Sequence, residues 1–162
     1  MSIVFNINEI LEIAKQIERN GAAFYRKAAK YNKSASKLLL EIAEQEDEHL
    51  RIFTEMQKEL SGQELEPTAF DPEGQAELYL KALANKQVFD VDKDPSKTLT
   101  GKESINEIFL MARQAEKDSI VFYVSMREMV PQKLGGEKLN KIIHEEVKHI
   151  FWLANKQKEL SR

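Results

Sequence analysis

The chain has no cysteine, four prolines, six glycines and one tryptophan among its 162 residues. Without cysteine there is no disulfide framework, no thiolate metal site, no iron–sulfur cluster and no cysteine nucleophile. No stretch approaches the roughly 18 apolar residues of a membrane span. Met1-Ser2-Ile3-Val4-Phe5 lacks the basic and apolar pattern of a secretory signal. An excess of basic residues is missing too: 24 Lys and Arg stand against 27 Asp and Glu, a formal net charge of -3. That gives no reason to expect nucleic acid, which would demand a basic face. The expectation is a soluble, cytoplasmic chain with neither nucleic acid nor membrane as partner.

What is abundant is Ala, Leu, Glu, Lys and Gln, with 31% charged and 42% hydrophobic residues. These are helix formers, and the length suits one domain with a proper core. Helical periodicity runs over about 7–31, 36–60, 102–130 and 137–160. Asn6 with Glu9, and Thr100 with Glu103, read as capping boxes. Gly135-Gly136 precedes the last helix, and Pro131 follows the third. Short loops make two antiparallel hairpins, joined by a long crossover over 61–100 in which Asp71-Pro72 opens a short helix ending near Asn85. The predicted fold is therefore all-α: a single four-helix bundle domain with one long crossover.

The halves repeat each other. Ala14-Lys-Gln-Ile-Glu18 and Phe24-Tyr25 return as Ala112-Arg-Gln-Ala-Glu116 and Phe122-Tyr123. Ile42-Ala-Glu-Gln-Glu46-Asp-Glu-His49 returns as Ile142-Ile-His-Glu-Glu146-Val-Lys-His149. Steps of three and four residues trace the inward seams. They give Leu11, Ala14, Glu18, Gly21 and Tyr25, then Leu39, Ile42, Glu46, His49 and Phe53. In the second half they give Phe109, Ala112, Glu116, Ser119 and Tyr123, then Leu139, Ile142, Glu146, His149 and Leu153. Each seam is apolar or small except at mid-helix, where all four place a glutamate and two add a histidine.

Four carboxylates converging in a core would be prohibitive without compensation. None of the inward positions is Lys or Arg, so two divalent cations, with neutral imidazoles completing the shell, give the simplest charge balance. Glu-x-x-His puts both side chains on one helix face. One Glu from each of two helices with Glu-x-x-His from each of the others is the ligand pattern of ferritin-like carboxylate bundles. The candidate metal ligands are Glu18, Glu46, His49, Glu116, Glu146 and His149. Oxygen and imidazole donors suit iron, with manganese or zinc as alternatives. The opposing reading takes these six as solvated surface charges.

At these residues the chain resembles the ferritin-like di-iron carboxylate superfamily, and the rubrerythrin-related branch in particular, through Ile17-Glu18-Arg-Asn-Gly-Ala-Ala-Phe-Tyr25 and Glu116-Lys-Asp-Ser-Ile-Val-Phe-Tyr123. The resemblance implies two iron ions bridged by Glu46 and Glu146, with Glu18 and His49 completing one and Glu116 and His149 the other. It implies a homodimer that reduces hydrogen peroxide or dioxygen. The cysteine-bearing rubredoxin domain typical of the branch is missing, so electrons come from a separate donor such as a rubredoxin. Ser119 stands where the branch carries an extra carboxylate.

Two other functions fit the ligand set: a ferroxidase or iron-storage protein of bacterioferritin type, and a non-enzymatic metal-binding structural or interaction bundle. Among flanking residues, His144 reads as a surface residue, and Tyr25 and Tyr123 as core tyrosines in preference to partners of the ligands. Glu44, Asp47, Glu48 and Glu145 read as a solvated face. Phe53 and Phe151-Trp152-Leu153 read as core or interface packing. Tyr79, Leu80, Leu83, Phe89 and Val91 of the crossover would cover the bundle or dock on another subunit.

Overall fold

The computed structural model describes residues 7–60, 93–129 and 135–162, with positions 78 and 82 between them. Four helices of 25 residues dominate: α1 (Ile7–Tyr31), α2 (Ser36–Leu60), α3 (Ile105–Met129) and α4 (Gly136–Leu160). Each is about 37 Å long at 1.5 Å per residue. A 3₁₀ turn at Lys33–Ala35 reverses the chain between α1 and α2, and a helical turn at Pro95–Thr98 packs on α1 before α3 begins. The helices pair as α1 with α2 and α3 with α4. The all-helical bundle expected from periodicity is the one observed. The capping role of Asn6, the short helix opened by Asp71-Pro72, Pro131, and Tyr79, Leu80, Leu83, Phe89 and Val91 lie outside the described residues. Among the described residues, no helix is long and apolar enough to cross a membrane.

The start of α3 differs from expectation. The carboxylate of Glu103 accepts from the Thr100 backbone N–H and hydroxyl and from the Gly101 N–H. This closes a turn, not a helix. Gly101 sits there at φ +85°, a conformation that side-chain-bearing residues rarely adopt. The true box lies one turn later. Ser104 Oγ accepts from the Glu107 N–H at 3.2 Å, and Glu107 accepts from the Ser104 N–H at 2.7 Å. The helix therefore opens at Ile105 and not at residue 102.

Two apolar clusters fill the bundle. One joins Leu11, Ala14, Phe53, Met56, Tyr123, Met126, Leu139 and Ile142. The other joins Tyr25, Ala28, Leu39, Ile42, Phe109, Ala112 and Leu153. On every helix the glutamate of the seam falls between the residues given to one cluster and those given to the other. The polar layer is thus sealed at both ends by hydrocarbon. Phe53 is fully buried as expected, whereas Phe151 is 63% exposed and belongs to no core.

Candidate metal centre

The six residues on the seams meet in that layer. Glu18, Glu146, His49 and His149 have no exposed surface, and Glu46 and Glu116 retain 3%. They form two overlapping groups, Glu18 with Glu46, His49 and Glu146, and Glu46 with Glu116, Glu146 and His149. Within each group, one donor atom per residue lies within 4.8 Å of all the others. Glu46 and Glu146 are common to both. The two imidazoles are stacked, with centroids 5.9 Å apart and planes inclined by 23°.

Both histidines turn Nδ1 inward and Nε2 outward. His49 Nδ1 lies 2.9 Å from Glu146 Oε1 and 3.4 Å from Glu18 Oε2. His149 Nδ1 lies 3.3 Å from Glu46 Oε1 and 3.4 Å from Glu116 Oε2. Several of these close atoms are nevertheless out of hydrogen-bonding alignment. Glu18 Oε2, Glu46 Oε1, His49 Nδ1 and both carboxylate oxygens of Glu146 are buried without a hydrogen-bond partner. Buried polar atoms are almost always paired. Donor atoms gathered this closely and left without hydrogen bonds fit the coordination of cations. Oxygen and imidazole donors in this ratio suit iron, manganese or zinc.

The outer contacts repeat with the halves of the chain. His49 Nε2 is 2.8 Å from Glu145 Oε2, and His149 Nε2 is 2.8 Å from Gln45 Oε1. The Tyr25 hydroxyl donates to Glu116, and the Tyr123 hydroxyl donates to Glu18. Two sequence expectations are corrected here, and one residue is added. Glu145 does not stand on a solvated face; it sits one residue before Glu146, where its carboxylate crosses to α2. Gln45 occupies the equivalent place in the first half, and seam-reading passed over it. The tyrosines are buried but are not merely core. Each fixes the free oxygen of a glutamate across the bundle, as a buried phenol requires a partner. Glu44, Asp47, Glu48 and His144 are exposed as expected.

Electrostatics explain how protein groups alone tolerate the layer. Burial, reinforced by neighbouring carboxylates, pushes Glu46 and Glu146 well above the ordinary range. Burial opposes charge on the histidines, yet Glu146 and Glu18 raise His49 to about 12, and Glu116 and Glu46 raise His149 to about 11. The neutral imidazoles expected beside cations are therefore imidazoliums when only protons balance the carboxylates. Protons and metal ions compete for the same atoms.

Gly21 and a cavity complete the geometry. A Cβ at Gly21 would stand 2.6 Å from Glu46 Oε2, so the bare backbone of α1 makes room for that carboxylate. A cavity of about 590 Å³ between α1 and α3 reaches Glu46 and Glu116.

No family model matches the chain, and no curated protein matches it. Among solved structures, the crystal structure of a Thermotoga maritima protein described as ferritin-like and diiron-carboxylate superposes with a TM-score of 0.69. It is 26% identical in sequence, over 96% of this chain and 96% of that one. The fold is ferritin-like, and within it the chain buries two glutamate–histidine groups that could hold metal ions.

Proposed function

We propose that Glu18, Glu46, His49, Glu116, Glu146 and His149 hold two iron ions, and that the protein is a non-haem oxidoreductase of rubrerythrin type. It reduces hydrogen peroxide or dioxygen with electrons from a separate donor such as a rubredoxin, as a homodimer. The observation that carries this reading is the set of five buried donor atoms without hydrogen-bond partners. Two metal ions supply Lewis acidity and, when ferrous, one electron each.

The chain's own groups provide the remainder. Glu46 and Glu146, common to both clusters, would serve both ions. Tyr25 and Tyr123 hold the carboxylates of Glu116 and Glu18 in fixed orientation. Glu145 and Gln45 hold the two imidazoles with Nδ1 inward. The apolar clusters on either side keep bulk water from the layer. The cavity between α1 and α3 provides approach from one flank.

Anaerobic protein loaded with two equivalents of Fe²⁺ should be oxidised by stoichiometric peroxide faster than free Fe²⁺ in the same buffer, with an absorbance change that Glu46→Ala abolishes. Equal rates with and without protein would refute the proposal.

A further inference from the structure

The cavity is much larger than the small oxidants require. Peroxide and dioxygen have two heavy atoms each, and a water molecule's share of liquid volume is about 30 Å³. The space between α1 and α3 measures about 590 Å³. That lies within the range of roughly 300–1,000 Å³ typical of pockets for drug-sized molecules. Its walls are mainly hydrocarbon. Ile17, Phe24, Leu110 and Met111 supply it, with Asn20, Gln114 and Asp118 as polar groups and the exposed Lys93 beside them.

Two features keep the space open beside the cluster. Ala115 and Ser119 present short side chains from α3, and the Ser119 hydroxyl is turned back onto the Ala115 carbonyl at 3.0 Å. The serine therefore offers the cavity little polarity. At the inner end lie Glu46 and Glu116, each 3% exposed. A pocket whose apolar walls run to the edge of the buried carboxylate layer has room for a ligand lying against that layer.

We infer that this cavity binds a small, mainly apolar organic molecule, aromatic or short aliphatic, held with one edge beside Glu46 and Glu116. The inference rests on the metal-site reading for the use of that molecule as a substrate, but its binding depends on the cavity alone. Peroxide or dioxygen would then be one of two molecules the site receives.

The test uses indole as the probe and Mn²⁺ as the metal. Wild-type protein should bind indole by calorimetry with a dissociation constant on the order of 1 mM or below. Ala115→Trp should weaken binding tenfold or more by filling the cavity, while Mn²⁺ affinity stays within twofold. Should the tryptophan variant fail to fold, Ala115→Leu serves the same purpose with a smaller volume. In Mn²⁺-loaded protein the indole proton resonances should broaden strongly.

Indole that does not bind, that binds both Ala115 variants as tightly as wild type, or that shows no broadening with Mn²⁺ bound would overturn the inference. Failure of Mn²⁺ to bind would instead refute the metal reading. The Ala115 titrations would then still decide the cavity.

Discussion

A single methyl group at Gly21 would fall 2.6 Å from Glu46 Oε2 and 3.2 Å from its carboxylate carbon, where ordinary contact begins at 3.4 Å. Gly21 lies in the interior of α1, so Gly21→Ala removes a helix penalty of about 0.5–1 kcal/mol. The atom it strikes is the end of a flexible side chain, which can swing aside at a cost of about 0.5–1.5 kcal/mol for an off-rotamer torsion. The two nearly cancel. Metal-free Gly21→Ala should thus melt within a few degrees of wild type, at about 2–4 °C per kcal/mol for a chain of this size. Metal binding has no such compensation, because the displaced carboxylate is common to both clusters. Mn²⁺ affinity should fall at least tenfold, about 1.4 kcal/mol. Calorimetric titration with Mn²⁺, paired with melting of the metal-free protein, reads both numbers. Unchanged Mn²⁺ affinity alongside an unchanged melting temperature would refute the placement of Glu46 at the site. Loss of more than about 3 kcal/mol of metal-free stability would exceed the usual overpacking cost and mean that the backbone, not the carboxylate, meets the methyl.

Four further outcomes are expected. Tyr123→Phe leaves the buried Glu18 carboxylate short of a donor; the metal-free protein should lose about 1.5–3 kcal/mol and melt roughly 3–12 °C lower. An unchanged melt would mean the phenol merely fills space. Glu145→Ala should weaken metal binding about 10–100-fold by freeing the His49 ring, and an affinity within twofold of wild type counts against that role. Replacing Glu146 with leucine leaves the buried His49 without the carboxylate that most raises it, so the metal-free protein should lose about 3–5 kcal/mol, as when one partner of a buried pair is removed, and metal binding should be lost as well. Unchanged metal-free stability would contradict this.

The fourth outcome concerns pH. Glu46 and Glu146 in the folded state hold protons above the ordinary carboxylate range, and His49 and His149 hold theirs to about 12 and 11. The folded protein therefore binds more protons than the unfolded chain through these four groups. Their contribution to metal-free stability is full below the unfolded values, 4.5 for Glu and 6.5 for His, and declines as pH rises through the folded ones. Bound metal displaces those protons, so the gain in melting temperature on adding Mn²⁺ should increase from pH 5 to pH 8. A gain that shrinks over this interval would refute the competition.

Much of this architecture was legible because helical spacing and the internal repeat bear on the same positions. A glutamate such as Glu18 or Glu116 in an otherwise apolar seam is conspicuous, and its recurrence 98 residues later fixes the register. Glu145 and Gln45 escaped because a residue one place before a ligand points some 100° away from it on the helix, which by seam-reading is the solvent side. In a close-packed bundle that direction also faces the neighbouring helix. The available signal was the repeat itself, which preserves a hydrogen-bond acceptor at 45 and 145. Tyr25 and Tyr123 lay on the seam, but which glutamate each would meet depends on how the hairpins dock. The start of α3 was misplaced because two Ser/Thr-x-x-Glu patterns stand in succession, and Gly101 adopts a conformation that only the first, non-helical one requires. The cavity depends on side-chain packing between helices that spacing does not describe.

All four outer contacts join one hairpin to the other: Tyr25 to Glu116, Tyr123 to Glu18, His49 to Glu145 and His149 to Gln45. None is completed within a hairpin. Each half of the chain therefore carries partners it cannot use alone, and the two halves recognise each other through the residues that orient the centre. Each hairpin brings three of the four donors of one group, and the other hairpin brings the fourth together with the contacts that orient them.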